Sequence, residues 1–420
     1  MEICRNLEDL DHYIQKNQLS EIDSVKNIVS KVKREGDAAV KYFTSLFDQK
    51  TMDQFEVEKI KIEEAYLKAD KSTISAIKKA AKRIEIFATK QMGCFQDFSY
   101  EDDVSELGQK IVPLDSVGCY IPGGRYPLFS TVLMTVIPAK VAGVKNIIVC
   151  SPNIHPLTLI AADIAGASQI FQVGGAQAIS AMAYGTESIP KVCKIVGPGN
   201  QYVSYAKKLV YGEVGIDFIA GPSEVLVIAD ETGNSSYIAA DLLAQAEHDP
   251  LAIPILLTTS ENIAQAVNKE INYQLNELKT KAVADVALLN GKIFLVDSIT
   301  TAVTISNRIA PEHLELQVHD IDKIVPLLTN YGSLFIGNNS AEVFGDYCSG
   351  TNHVLPTNGA ARYSGGLSVK DFLKILTYQK MKENISTDFI EIATNMAKQE
   401  GLDAHHNAAF LRQKHNQNLK

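Results

Sequence analysis

From Ile111 onward, short β-branched runs alternate with helical segments, and few folds accept that pattern. Strands joined by helices run parallel, and a parallel sheet needs helices on both faces, so the alternation predicts βαβ units of an α/β fold. Stretches 146–150 (NIIVC), 169–173 (QIFQV) and 192–196 (VCKIV) read as strands, followed by helices that begin near Pro156, Ala176 and Asn200. A turn closes each strand: Ser151-Pro152-Asn153, Gly174-Gly175 and Gly197-Pro198-Gly199-Asn200. The turns therefore gather at the carboxyl ends of the strands, where open α/β sheets bind ligands. A second series follows Ala220-Gly221-Pro222-Ser223, with strands at 224–228, 253–258, 292–296 and 333–336 and helices at 236–247, 261–278 and 300–309. Two Rossmann-like lobes are expected.

The flanks read differently. Residues 7–47 look helical, with Leu7, Leu10 and Ile14 and then Ile22, Val25, Ile28, Val29 and Val32 recurring at three and four. A strand is expected at 55–62, then one long helix over 63–90 with Ile74, Ile77, Ala81, Ile84 and Phe87 on one face. The tail from Phe372 reads as helical, ending in 390–399 and 404–413. A helical extension beyond a finished lobe suits docking on a second copy, which predicts a homodimer.

With 420 residues the chain is long for one core and has room for at least two lobes. A hydrophobic content of 46% against 21% charged residues excludes the composition of disorder. The net charge of -9 argues against nucleic-acid binding, and Lys78, Lys79 and Lys82 fall at helical spacing, as on a solvated face. Cys4, Cys94, Cys119, Cys150, Cys193 and Cys348 form no C-x-x-C pair and read as reduced thiols of a cytoplasmic protein. The N-terminus opens with Glu2, Arg5, Glu8 and Asp9, without a long apolar run, so neither a signal peptide nor a membrane span is expected.

Chemistry-bearing residues concentrate in Gly345 to Thr357, GDYCSGTNHVLPT. Asp346 and His353 are too far apart for one helical turn, and Gly345, Ser349, Gly350, Thr351 and Asn352 favour a loop. Upstream, Pro311-Glu312-His313-Leu314 sets an acid beside an imidazole that can take a proton from an alcohol or water. Pro311 and Glu312 equally suit the first turn of a helix. Gln245 and His248, near the end of a helix that Asp249-Pro250 stops, project from one face. Imidazole is a common zinc ligand, Asp346 a usual companion and glutamine a rare one; the competing reading is a helix-end histidine that complements the dipole. His405 and His406 either add a ligand or are exposed tail histidines, while His12, His155, His319 and His415 sit in no motif. The turns at Gly174 and Gly197 can bring backbone N–H groups to phosphates, but neither is G-x-G-x-x-G, and tight turns explain the glycines as well. Cys119 and Cys348 read as small hydrophobes.

Together these segments resemble the histidinol dehydrogenase family over nearly the whole chain. The resemblance runs through GCYIPGGRYPLFSTVLMTVIPAKVAGV (118–144), QVGGAQAISAMAYGTE (172–187), VGPGNQYV (196–203), AGPSEVLVIAD (220–230), LLAQAEHDP (242–250), IAPEHLEL (309–316), GDYCSGTNHVLPT (345–357) and EGLDAHHNA (400–408). An ordered set of long motifs is highly specific; the N-terminal hundred residues match mainly in helical pattern, and 358–366 is looser.

The resemblance implies zinc- and NAD-dependent four-electron oxidation of L-histidinol to L-histidine through bound L-histidinaldehyde, the last steps of histidine biosynthesis. It implies one Zn2+ per subunit on Gln245, His248, Asp346 and the partner subunit's His405, and acid–base work by Glu312 and His313. Ser223, His353 and Glu400 would position the substrate beside the metal and its ligands, and Tyr120, Gln177 and Asn200 would contact NAD. The matching division is a helical segment at 1–18, a larger α/β domain at 19–118 and 224–370, an inserted NAD-binding α/β domain at 119–223, and a dimer-exchanged helical tail at 371–420. A zinc hydrolase suits His, Asp and Glu as well, and a non-catalytic NAD-binding scaffold or a dehydrogenase of another amino alcohol or diol stays open. Glu312 with His313 argues against a scaffold, and Glu400 with His353 favours histidinol.

Overall fold

Residues 1–6, 10, 22–124 and 126–418 are described by the computed structural model, which forms two compact units. One comprises Met1–Met92 and Leu114–Phe372, the other Gly93–Pro113 and Leu373–Lys420.

Two parallel sheets build the first unit. The larger runs in the order β1-β11-β10-β9-β12-β13, with β1 at Glu2–Cys4, β9 at Glu224–Ala229, β10 at Ile253–Thr258, β11 at Lys292–Leu295, β12 at His313–Gln317 and β13 at Ser333–Ile336. The smaller runs β6-β5-β4-β7-β8, with β4 at Ser116–Tyr120, β5 at Asn146–Cys150, β6 at Gln169–Phe171, β7 at Lys194–Val196 and β8 at Gly215–Ile216. Helices cover both faces, so strands such as β9 (EVLVIA) are apolar and buried along their whole length, as parallel strands require. The α/β class with parallel βαβ units is therefore as expected. In the smaller sheet the chain moves from β4 outward to β5 and β6, then returns to β7 on the other side of β4. In the larger it reverses in the same way between β9 and β12.

The second unit holds an antiparallel sheet, β14-β3-β2, with β2 at Phe98–Glu101, β3 at Ser105–Pro113 and β14 at Leu373–Met381. The helices Thr387–Gln399 and Asp403–Asn418 pack on each other in the same unit.

Several expectations on the flanks are corrected. The tail does not start as a helix: LKILTYQKM, rich in β-branched and aromatic residues, is β14 and pairs with β3 from Leu373↔Pro113 to Met381↔Ser105. The strand expected at 55–62 is reduced to one bridge, Glu56↔Phe171, held by Val57 N donating to Ile170 O (2.8 Å) and Gln172 N to Phe55 O (2.8 Å), and a helix starts at Lys59. The single helix over 63–90 is two, Lys59–Lys68 and Lys71–Met92. Ala69 is extended, and the Asp70 carboxylate caps the second helix by accepting from Thr73 N at 3.0 Å. The helical segment expected at 1–18 opens instead as β1, which pairs with β11; its residues 7–9 and 11–18 lie outside the described residues. Cys119 is buried as expected, whereas Cys348 is exposed. No helix among the described residues is long and apolar enough to cross a membrane.

Leu226, fully buried at the middle of β9, tests where the core of the larger sheet lies. Leu226→Ala should lower stability by about 2–5 kcal/mol in urea unfolding. A negligible cost would mean that the site collapses without leaving a cavity.

Candidate active site

β12 begins at a buried histidine, and the residues before it explain how it is held. The helix Ile299–Ile309 ends at Ala310, whose φ of 54° turns the chain through the left-handed region, and Pro311 cannot continue a helix. Glu312 therefore leads into a strand, and its reading as the first turn of a helix is wrong. The neighbouring chain takes up the backbone: Gly332 N donates to Pro311 O and Ser333 N to Glu312 O, both at 2.9 Å. Only glycine fits at 332, where an added Cβ would lie 2.5 Å from Glu312 O.

His313 is 4% exposed. Its Nδ1 lies 3.2 Å from Glu224 O, and a carbonyl only accepts, so Nδ1 carries the proton and Nε2 is the basic nitrogen. Nε2 is buried without a hydrogen-bond partner among the described residues, 4.0 Å from Asp346 Oδ1. Glu312 Oε2 accepts from Glu224 N at 3.0 Å and stands 3.8 Å from His313 Nδ1. The two adjacent residues thus hold the N–H and C=O of one partner, Glu224, at the amino ends of β9 and β12. The site thus uses the amino ends of strands in the larger sheet, whereas the glycine turns follow the carboxyl ends of strands in the smaller one.

Asp346 belongs to a short helix, Glu342–Tyr347, and not to a loop as expected. The loop begins beyond it and brings His353 back, so that His353 Nδ1 donates to Asp346 O at 2.9 Å and its Nε2 meets Thr131 Oγ1 at 3.1 Å. Gln245 lies in the last turn of the helix Ser235–Ala246, wholly buried, and neither side-chain polar atom has a hydrogen-bond partner among the described residues. His248 is exposed just past the same helix, with its N donating to Gln245 O at 3.3 Å. A buried primary amide with both ends open is costly unless something takes them up. Gln245, His248 and Asp346 offer the oxygen and nitrogen donors that a divalent metal accepts. His313, Glu342 and Asp346 form another grouping with ligand atoms within 4.8 Å of one another. The orientation of the His313 ring by Glu224 suits Nε2 either as a ligand or as a base.

Sequence reasoning missed Glu342, which is buried, with Oε1 3.6 Å from His313 Nδ1. Its signal was the spacing of four to Asp346, which puts two carboxylates on one helix face. It also missed Glu315, whose Oε1 accepts from Glu342 N at 3.2 Å beneath the site. Burial shifts this cluster toward its uncharged forms. It pushes His313 down to about 3 and His353 down to about 4, so both imidazoles are neutral at pH 7. Burial pushes Asp346 and Asp241 up to about 6, and it raises Glu342 and Glu315 well above the usual carboxylate range, helped by the neighbouring acids. His313 therefore meets Glu342 as a neutral imidazole.

The other candidates fall in three places. Ser223 directly precedes β9, its carbonyl accepting from Ile253 N at 2.9 Å. Tyr120 ends β4, with its hydroxyl accepting from Gly175 N at 3.1 Å at the start of the helix Gly175–Tyr184. Gln177, in the first turn of that helix, is buried with Oε1 unpartnered among the described residues. Asn200 is the N-cap of the helix Gln201–Val210, its Oδ1 accepting from Tyr202 N and Val203 N, both at 3.1 Å. Glu400 and His405 stand in the second unit, both exposed, at the end of one helix and in the first turn of the next.

The depressed His313 pKa has a consequence for stability. Between its folded value of about 3 and its ordinary 6.5 the unfolded chain binds more protons than the fold, so stability present above pH 6.5 is lost on acidification, by at most about 1.4 kcal/mol per pH unit. In metal-free protein, the stability of the native chain relative to His313→Asn should therefore fall as the pH drops from 7 to 5, as read by urea unfolding. A difference that ignores pH would mean that the imidazole titrates normally in the fold.

Known proteins share this sequence and fold. A family model for histidinol dehydrogenase matches residues 13–413. The histidinol dehydrogenase of Methanocaldococcus jannaschii is 46% identical over 398 residues, covering 94% of this chain and 92% of its own. That of Aquifex aeolicus is 47% identical over 411 residues, covering 96% of each. The crystal structure of histidinol dehydrogenase from Elizabethkingia anophelis superposes with a TM-score of 0.93 at 41% identity, over 98% of this chain and 97% of that one. With the match extending over nearly its whole length, the chain belongs to the histidinol dehydrogenase family.

Proposed function

We propose that the protein oxidises L-histidinol to L-histidine in two NAD-dependent steps, through bound L-histidinaldehyde, with zinc in the site. The observation that carries this reading is His313, a buried neutral imidazole with Nδ1 oriented by a carbonyl and Nε2 open. A base so placed is ready for a substrate proton. Membership of the family supports the choice of substrate, since the relatives bear the name histidinol dehydrogenase.

Gln245, His248 and Asp346, with the partner subunit's His405, would hold the zinc, and the open amide of Gln245 supports that assignment. Bound zinc supplies an anchor for the amino and imidazole nitrogens of histidinol and so orients the carbinol carbon without redox chemistry of its own. Tyr120, Gln177 and Asn200 would bind NAD, the hydride acceptor, on the inserted domain at 119–223. The domain at 19–118 and 224–370 carries the acid–base pair. Ser223, His353 and Glu400 hold the substrate. His313 Nε2 takes the hydroxyl proton as the first hydride leaves, giving the aldehyde. Once His313 has released its proton to solvent, Glu312 removes a proton from the water that adds to the aldehyde carbon, and His313 takes the hydrate's hydroxyl proton as the second hydride leaves to a second NAD. The tail at 371–420 completes the site of a second copy in a cytoplasmic homodimer. Exposed Ile392, Met396 and Leu411 on the tail helices support such a contact.

His313→Asn should slow both oxidations by roughly 10²–10⁴-fold. Glu312→Gln should spare the first oxidation more than the second, so that aldehyde accumulates; equal loss in both steps would end this division of labour. The decisive assay counts NADH per histidinol with zinc supplied and then chelated away. Two NADH, lost on chelation, is the expected result. One would mean that the reaction stops at the aldehyde, and none would direct attention to another alcohol or to hydrolysis.

A further inference from the structure

The smaller sheet contains a buried ion pair that no role above uses. Lys207, in the helix Gln201–Val210, and Asp217, just past β8, have side chains only 2% and 1% exposed. Both converge on the turn after β7. Asp217 Oδ2 accepts from Gly197 N at 2.8 Å, and its Oδ1 accepts from Phe218 N at 2.7 Å and from the Lys207 ammonium. The same ammonium donates to Gly197 O at 3.1 Å. One charged pair therefore grips both backbone polar groups of Gly197. That residue has a φ of 112°, and an added Cβ would lie 2.1 Å from Tyr120 O, so the turn is pressed against the end of β4. At its other end Asn200 caps the following helix.

Burying two charges is a poor source of net stability, because the lost hydration offsets their attraction and apolar residues of similar volume fill the space as well. Such a pair is better at selecting one backbone arrangement, here that of a turn at the β4–β7 reversal, the edge at which open α/β sheets take ligands. We propose that Lys207 and Asp217 are positioning residues that hold the Gly197-Pro198-Gly199-Asn200 turn in the form that accepts the dinucleotide, and so set NAD affinity without acting on histidinol. The inference rests on the assignment of NAD to this lobe.

Two variants test it in the full-length zinc-loaded enzyme: Lys207→Met, and the neutral double variant Lys207→Met/Asp217→Asn, which keeps an acceptor for Gly197 N while burying no charge. Each is followed by thermal unfolding, by calorimetric titration with NAD and by steady-state kinetics in both substrates. Both should raise the Kd and KM for NAD by about 10- to 100-fold, with the KM for histidinol unchanged, and the double variant should do so with the smaller loss of Tm. A folded double variant with native NAD affinity overturns the proposal, as does a KM for histidinol that rises in step with that for NAD. If neither variant folds, the pair holds the lobe rather than the turn, and the proposal is equally wrong. Failure of the unaltered enzyme to bind NAD would instead remove the assignment on which the inference stands.

Discussion

The hydrogen bond from His313 Nδ1 to the Glu224 carbonyl is the constraint on which the site depends. It exists because β12 lies beside β9 in parallel register, His313 opposite Val225. A slip of one residue would turn His313 to the other face of the sheet. The same register hands the N–H of Glu224 to Glu312, so the two side chains of the proposed acid–base pair are oriented by one neighbouring residue. The imidazole is thereby held in one tautomer, and burial keeps it neutral.

The supporting polar groups lie under this pair and not around it in solvent. Burial raises Asp241 to about 6, and burial together with repulsion from neighbouring acids favours the protonated form of Glu315 and Glu342. In that form they serve as hydrogen-bonding groups and avoid the large cost of isolated buried charges. The smaller sheet contributes too: the helix Phe129–Ala142, which follows β4, meets His353 through Thr131 Oγ1, and Asn352 Nδ2 donates to Met134 O at 2.7 Å. The helix that follows the proposed cofactor strand therefore also braces the loop of Asn352 and His353.

Much of the fold was legible because parallel strands buried on both faces are written as short apolar runs between turn formers. β10 and β13 have the expected limits, and β5, β6 and β7 stand where their runs were read. β12 was not legible. Its residues, HLELQ, are polar at alternate positions yet buried throughout, since Glu315 and Gln317 find partners inside the protein. β14 was hidden for a related reason: its pairing partner, β3, is more than two hundred residues away in the chain. Glu312, His313, Gln245, His248 and Asp346 were visible singly, but their spacing left structural readings open, and their site roles were suggested by the family resemblance alone.

The sequence by itself determined the α/β alternation, the placement of glycine turns at strand ends and the family to which the chain belongs, because these are local patterns or long ordered motifs. The tertiary structure alone decided which nitrogen of His313 is free, that Glu342 stands behind it, and that Lys207 and Asp217 grip one turn. Each of these depends on strand register and on the burial of polar groups, and both are set by residues far apart in the chain.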